Sequence, residues 1–511
     1  MNPVLRHVRA GVSTAIAIAA HSVLAQAQIS FHSPIAYPVG DAPKSVVASD
    51  VDSDGDLDLV VTVHNPAGLS VLRNDGTGEF APAAFSPLTS GSDPVGLVAH
   101  DFTGDGHPDI VVASSANDTI RLYRNLGDGH YVPGDYASVG DGPRALVLLD
   151  FDLDGDMDLA VSNRAGGGVS FVRNVGDGML EFESVVAVGA TPGGLAVGDL
   201  DGDAYPDVAV AVHGSRIVRV LRNLGNGTFT TLTTLPLGNL ELPEVARILD
   251  FDNDGDDDIL VSASDTVVHD VVLFRQIAPG AFCECDYFDV GGIHPVGMAL
   301  GDFDLDTRID VATANSGSDT VSVLRNLSSA GFDLPLSIPV TGPEPCCIIA
   351  ADLDGNHYAD LVVTNDAAQS VDVIFNARDN PASYCSTSPN SFGYGARIHA
   401  LGSVRIATND FTLRVVDAVP NAPGLFFFGR VPQQSPFHAG YLCIAAPIAR
   451  LGPALQTTTR GVAQLELDFG LSPASMIAAG SIWNFQFWYR DPAATSSTTN
   501  FSDAVRVVFE P

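Results

Sequence analysis

The sequence predicts an all-β protein, a seven-bladed β-propeller followed by a β-sandwich domain, and three observations predict it. A nine-residue acidic loop close to D-x-D-x-D-G-x-x-D recurs seven times at intervals of 49 to 52 residues. Each copy is flanked by the same short apolar and β-branched runs, with no helical periodicity. From about Tyr384 the repeat stops and the chain alternates in period two. A supersecondary unit copied about every 50 residues, with four strand-like runs per copy, is the signature of propeller blades.

The unit reads in a fixed order. Before each loop comes an apolar run such as Ser45-Val46-Val47-Ala48 or Ala145-Leu146-Val147-Leu148-Leu149. After it comes a β-branched run such as Leu59-Val60-Val61-Thr62-Val63, a run type enriched in strands. A polar turn leads to a third run ending in Leu-Arg-Asn, as in Leu72-Arg73-Asn74, Leu221-Arg222-Asn223 and Leu324-Arg325-Asn326. A Gly-rich hairpin such as Gly225-Asn226-Gly227-Thr228-Phe229 opens a more polar fourth run. The seventh unit stops after its third run, near Val371 to Phe375. The fourth-strand text appears instead at the other end of the chain, where Phe31 aligns with Phe80 and Phe229. The N-terminal strand, residues 29 to 40, is therefore expected to complete the last blade, which removes an open sheet edge.

The loops are Asp50 to Asp58, Asp101 to Asp109, Asp150 to Asp158, Asp199 to Asp207, Asp250 to Asp258, Asp302 to Asp310 and Asp352 to Asp360. Carboxylates at positions 1, 3, 5 and 9 can converge only if the backbone curls tightly, and their repulsion then calls for a hard cation. Oxygen-only ligands select Ca²⁺. An EF-hand loop would need an acidic residue at position 12, where this chain has Val61, Val112, Val161, Val210, Val261, Thr313 and Val363. Those are strand residues, and the EF-hand reading fails in every copy. The copies differ at position 6, where a sharp turn favours glycine. Loop four has Ala204 there, loop six Thr307 and loop seven His357, and loop two carries Thr103 at position 3. Loops one, three and five are complete; loops six and seven are expected to bind most weakly.

These residues resemble the FG-GAP/VCBS repeat family, whose best-known relatives are the seven-bladed propellers of integrin α-subunits. The resemblance covers residues 29 to about 378. In that family the loop joins the first two strands of a blade and binds Ca²⁺ through side chains at positions 1, 3, 5 and 9 and the carbonyl of position 7. Carried onto this chain, the resemblance implies up to seven Ca²⁺. In loop one it implies Asp50, Asp52, Asp54 and Asp58 with the Asp56 carbonyl, and in loop two Asp101, Thr103, Asp105 and Asp109 with that of His107. In loop three it implies Asp150, Asp152, Asp154 and Asp158 with Asp156, and in loop four Asp199, Asp201, Asp203 and Asp207 with Tyr205. In loop five the set is Asp250, Asp252, Asp254 and Asp258 with Asp256, and in loop six Asp302, Asp304, Asp306 and Asp310 with Arg308. In loop seven it is Asp352, Asp354, Asn356 and Asp360 with Tyr358.

Composition narrows the function classes. The formal charge is −36, and 30 of the 61 acidic residues lie inside the seven loops. Even with every loop filled the chain stays acidic, which argues against nucleic acid and anionic membranes as partners. Lys44 is the single lysine, so lysine-based phosphate cradles and Schiff-base chemistry are disfavoured. Residues 1–27 read as a secretory signal: Arg6 and Arg9 precede the apolar stretch Ala10 to Ala20, and Ala25-Gln26-Ala27 gives a small-x-small cleavage pattern. The apolar run is too brief to span a bilayer. Six cysteines fit an oxidising compartment. Cys385 is expected to pair with Cys443, while the pairing of Cys283, Cys285, Cys346 and Cys347 stays open.

The expected domain plan is a propeller over 28–378, a linker over 379–383 and a β-sandwich over 384–511. In the latter, Trp483, Phe485, Phe487 and Tyr489 share one face of a strand, and Trp488 falls on the opposite, polar face. This region resembles a C-terminal module of large secreted bacterial proteins, with Tyr384-Cys385 near its start and Asn500 to Ala504 near its end.

No metalloprotease H-E-x-x-H, nucleophile elbow, Walker loop or dinucleotide fingerprint is present. The near-constant repeat interval leaves little room for the long loops that build a pocket. The expected function is a secreted, non-catalytic, monomeric calcium-binding protein that binds an extracellular protein or glycan, released or held at the cell surface. The alternative is a carbohydrate-active enzyme, a polysaccharide lyase or hydrolase, with the propeller as scaffold.

Overall fold

The computed structural model describes residues 29–377 apart from 89–92, 238–241, 265–268 and 357. Of the C-terminal region it describes 383–384, 396–401, 406, 411–416, 418–437, 440–458, 462–471, 474–478, 481–491 and 499–509. The expected signal segment, most of the expected linker, Cys385 and His357 lie outside the described residues.

The protein is all-β. Among the described residues, seven four-stranded antiparallel sheets succeed one another along the chain. The first runs Asp41–Ser49, Asp58–Asn65, Gly68–Leu72 and Ala84–Pro87, each strand paired to the next. Second strands such as Asp109–Ser114 and Asp207–Val212 are buried on both faces, which is why they read as unbroken β-branched and small apolar runs rather than as alternation. Fourth strands such as Leu180–Ala187 are largely exposed, hence their polar text.

Neighbouring sheets pack face to face through shared apolar clusters. Val46, Val61 and Leu72 of the first sheet, for example, join Val362, Val371 and Val373 of the last. The first strand of each sheet touches the first strand of the next, from Asp41–Ser49 through Pro94–His100 and onward to Pro345–Ala351. That strand in turn packs against Asp41–Ser49. The last sheet takes its outer strand from the N-terminus: Ile35–Pro38 pairs with Ser370–Ile374, with Ile35 opposite Val373 and Pro38 opposite Ser370. Phe31 bridges Asn376 as Phe80 bridges Asn74.

An asparagine at the end of six of the seven third strands ties neighbouring sheets together. The Asn223 Nδ2 donates to the Phe151 carbonyl of the preceding sheet's loop at 2.8 Å, and Asn125 reaches Val51 in the same way at 2.8 Å. Asn376 reaches Phe303 at 2.9 Å, and Asn74 of the first sheet reaches Leu353 of the last at 2.7 Å. The fifth sheet has Gln276 at this place, and there the Gly280 N–H donates to the preceding Leu200 carbonyl instead, at 2.8 Å.

Of the C-terminal residues described, five strands form one sheet and Arg397–Leu401, Thr412–Val416 and Ala463–Glu466 form another. Both contribute to one core, which includes Phe411, Leu413, Phe426, Phe428, Phe485 and Tyr489. Period-two alternation in Ile482–Arg490 predicts one wet face, but Asn484 and Gln486 are also buried. The reason is local: Gln486 Oε1 accepts from the Cys443 N–H at 3.0 Å and its Nε2 donates to the Ser502 carbonyl at 2.8 Å. Trp483 is core, and Trp488 is half-buried against a small cluster of Phe427, Ile444 and Phe501. Cys346 and Cys347 are free thiols, which removes both from the pairings that the sequence leaves open. Among the described residues, no helix is long and apolar enough to cross a membrane.

Asn74→Ala removes the donor to Leu353 and leaves that buried carbonyl unsatisfied at the seam between the first and last sheets. Denaturant unfolding of the variant should show a loss of about 1–3 kcal/mol, the usual cost of an orphaned buried polar group.

Candidate metal centres

Each acidic loop folds around its own first carboxylate. In loop one the N–H groups of Asp54 and Gly55 donate to Asp50 Oδ1 and Oδ2, both at 3.1 Å, and the Asp56 N–H donates to Asp54 Oδ1 at 3.1 Å. Loop three repeats the pattern around Asp150 and Asp154, and loop five around Asp250 and Asp254. Loop two uses Asp101 with Asp105, and loop four Asp199 with Asp203. Loop six uses Asp302 with Asp306, and loop seven Asp352 with Asn356. Position 6 must take a left-handed backbone: φ is +97° at Gly55, +98° at Gly155 and +95° at Gly255. Ala204 and Thr307 adopt it too, at +70° and +72°. A side chain in that region costs roughly 1–2 kcal/mol, more for a β-branched one, so loop six carries strain that the glycine loops avoid.

The curl brings carboxylate oxygens together. Asp50, Asp52 and Asp58 each offer one oxygen within 4.8 Å of the others, as do Asp150, Asp152 and Asp158. In the next three loops the groups are Asp199 with Asp201 and Asp203, Asp250 with Asp252 and Asp254, and Asp302 with Asp304 and Asp306. Position 5 thus takes the place of position 9 in those groups. The position-3 oxygens are the informative ones. Oδ1 of Asp52, Asp152, Asp201 and Asp252 is buried and makes no hydrogen bond, and so is Thr103 Oγ1 in loop two. Buried acceptors without donors are rare in folded proteins unless an ion or water meets them. An all-oxygen donor set with such atoms aimed into it fits a hard divalent cation.

Position 9 has a second role. Asp58 Oδ2 accepts the Val51 N–H at 3.0 Å and its Oδ1 accepts the Asn74 N–H at 2.7 Å. Asp158, Asp207, Asp258, Asp310 and Asp360 each take the same pair of backbone donors, from position 2 and from the end of the third strand. These carboxylates anchor the loop to the sheet whether or not an ion is bound.

Sequence reasoning overlooked the arginine of Leu-Arg-Asn. It reaches back to position 3 of its own loop: Arg222 Nε lies 2.7 Å from Asp201, Arg275 2.6 Å from Asp252, Arg325 2.9 Å from Asp304 and Arg173 3.2 Å from Asp152. Arg73 is 3.4 Å from Asp52. The guanidiniums of Arg173 and Arg275 also lie over the rings of Phe151 and Phe251 at position 2. Loop six holds a second arginine, Arg308, on Asp306, and Arg325 also approaches that carboxylate at 3.7 Å. Loop seven has Phe375 where the others carry arginine. The signal was visible as recurring text.

Burial pushes the position-9 carboxyls up, against the pull of their two backbone hydrogen bonds and with help from neighbouring loop carboxylates. Asp158, Asp207 and Asp310 rise to about 7, and Asp58 and Asp258 to about 6. In loop seven burial and Asp352 push Asp354 to about 7, and Asp360 is also raised. Without metal the folded state therefore binds more protons than the unfolded chain from about pH 4 to about pH 7, and stability falls as pH rises through that window. Calorimetry of chelated protein should give a lower melting temperature at about pH 7.5 than at about pH 5. Added Ca²⁺, which favours the ionised carboxylates, should shrink that difference.

Residues 50–112, 101–161, 150–210 and 199–261 each match the FG-GAP-like repeat family. No curated protein matches the chain. Among solved structures, BBS1N in complex with ARL6DN, soaked with mercury, is similar at 15% identity. The match covers 68% of this chain and 96% of that one, with a TM-score of 0.50. A crystal structure of a protein from Lactobacillus plantarum is 20% identical over 60% of this chain and 86% of its own, with a TM-score of 0.46. Four consecutive repeat matches on four-stranded sheets show FG-GAP-like repeats over residues 50–261, and the neighbour covering two thirds of the chain supports a propeller-type fold.

Proposed function

We propose that this is a secreted, non-catalytic calcium-binding protein whose propeller is a closed ring of seven blades. The observation that carries the calcium reading is the set of buried, unbonded position-3 oxygens in loops whose other donors are all oxygen. The side chains at positions 1, 3, 5 and 9 and the carbonyl of position 7 would hold each ion. The ion would neutralise the loop and lock its curl between the first two strands. The pairing of Ile35–Pro38 with the last sheet supports ring closure. The core common to two sheets supports a β-sandwich over 384–511 after a linker at 379–383, and the oxidised state of Cys443 supports a bridge to Cys385.

Export would follow from removal of residues 1–27, and an extracellular setting would supply the millimolar Ca²⁺ that weak sites need. The regular repeat interval and the missing catalytic motifs favour a binding role, towards an extracellular protein or glycan, over an enzymatic one. Screening the mature protein on a glycan array, with and without EDTA, tests the ligand class. Calcium-dependent binding supports a glycan, and turnover of any polysaccharide on the array would overturn the non-catalytic reading.

The calcium reading is tested by melting. A site at a hundredfold excess of ion over Kd adds about 2.7 kcal/mol. EDTA should lower the melting temperature, Ca²⁺ should restore it, and Mg²⁺ should do so poorly, because it demands a tighter octahedral shell. Asp154→Ala should cost more stability in Ca²⁺ than Asp306→Ala, whose carboxylate two arginines already neutralise. An unchanged melt in EDTA, with no calcium in native mass spectra, would leave the loops as acidic turns.

A further inference from the structure

The first strands of the seven sheets surround an open cavity of about 770 Å³, and the copies can be compared position by position around it. Three residues before each loop, the strands stand in one common register against their second strands. Val47, Val98, Val147 and Ala196 face Val60, Val111, Ala160 and Ala209 there, and Ala299 and Ile349 face Ala312 and Val362. The fifth sheet breaks the pattern with Arg247, opposite Leu260. Arg247 is thus the one charged residue at this register; with Val147 and Ala196 it lines the cavity, which Arg144 also lines from the third sheet.

Arg247 is half-buried, and that burial holds it below the usual guanidinium range. Of its five N–H donors, one group is engaged, Nη1 to the Ala246 carbonyl at 2.9 Å. Among the described residues no carboxylate pairs with it. The acid on its own strand, Glu244, is held by His213 at 2.9 Å. Elsewhere on the lining Lys44 pairs with Asp366 at 2.7 Å and His64 with Asp93 at 2.6 Å, while burial holds Arg144, like Arg247, below the usual guanidinium range. A cation partly withdrawn from water gains from an anion that meets it. Around Arg247 the cavity wall includes Leu146, Val147, Leu195, Ala196, Val197 and Ile248, all apolar. The lining mixes this apolar wall with charged side chains, Lys44, Arg144, Glu244 and Asp366 among them, and the cavity has the size of a small-molecule site.

We propose that the central cavity binds a small organic carboxylate with an apolar body, the carboxylate forked on the Arg247 guanidinium and the body against the aliphatic wall. A planar guanidinium suits a carboxylate bidentately. The site is separate from the acidic loops, so it stands or falls independently of calcium.

The test is calorimetric titration of the calcium-loaded full chain with hexanoate and, separately, with inorganic phosphate. Hexanoate should bind and raise the melting temperature, and phosphate should bind at least tenfold more weakly. Arg247→Met removes the charge at similar length and should weaken hexanoate at least tenfold. Arg247→Lys, which keeps the charge but loses the fork, should fall between. No hexanoate binding to the parent chain, or equal binding by Arg247→Met when its melt matches the parent, overturns the proposal. Phosphate binding as tightly as hexanoate overturns the apolar-body assignment. If Arg247→Met fails to fold, the decision rests on Arg247→Lys, for which undiminished binding counts against the site.

Discussion

The propeller depends on a short chain of buried hydrogen bonds that starts at the ninth residue of each acidic loop. In every loop but the second, where Asp109 takes only the third-strand donor, that aspartate takes one backbone N–H from its own loop and one from the end of the third strand, so it fixes the loop to the sheet that carries it. Outside the fifth sheet, where it is Gln276, the third-strand residue receiving this anchor is the asparagine whose side chain crosses to the carbonyl of the preceding loop. Sheet, loop and neighbouring sheet are therefore coupled through two polar side chains, both fully buried. Apolar packing supplies most of the driving force, but it is non-directional. These bonds set the relation of one sheet to the next, because a misplaced sheet would strand buried polar groups.

The same geometry explains why the loops can be so acidic. Carboxylates held within a few ångströms raise each other's proton affinity, and burial raises it further. The fold answers first with backbone N–H groups, then with an arginine from the third strand, and leaves one position-3 oxygen unanswered. Loop six adds a second arginine, and loop seven substitutes a phenylalanine for the first. The copies are graded in how much of their charge the protein itself neutralises.

Most of the blade plan was legible because a repeat is its own alignment. The acidic loops, the four runs per unit and the N-terminal stand-in for the missing strand could be read directly, and Phe31 meets Asn376 as that alignment requires. Three things were not read. The arginine of Leu-Arg-Asn passed as strand text, since its partner lies some twenty residues away, across a loop whose curl period-two patterning does not describe. Arg247 passed as one polar residue in an apolar run, since its isolation shows only when seven strands are set side by side. In the C-terminal region, alternation in Ile482–Arg490 implied a wet face, yet Gln486 is buried by backbone partners that no local pattern reveals.

The pairing of Ile35–Pro38 with Ser370–Ile374 has a consequence for the order of events during synthesis. A strand that precedes every other strand of the seven sheets cannot find its partners until the final repeat exists. Six sheets can assemble as they emerge, each against its predecessor, while the leading segment waits unpaired. That pairing is then a single long-range step, slow by the logic of contact order and entropically distinct from the local hairpins before it. Until that step, two raw sheet edges coexist, one on the waiting segment and one on the three-stranded last unit. They are complementary in sequence, so a second chain at high concentration could supply the missing strand as well as the first. The last sheet thus has a built-in route to exchange between copies, set by the end of the chain from which its outer strand comes.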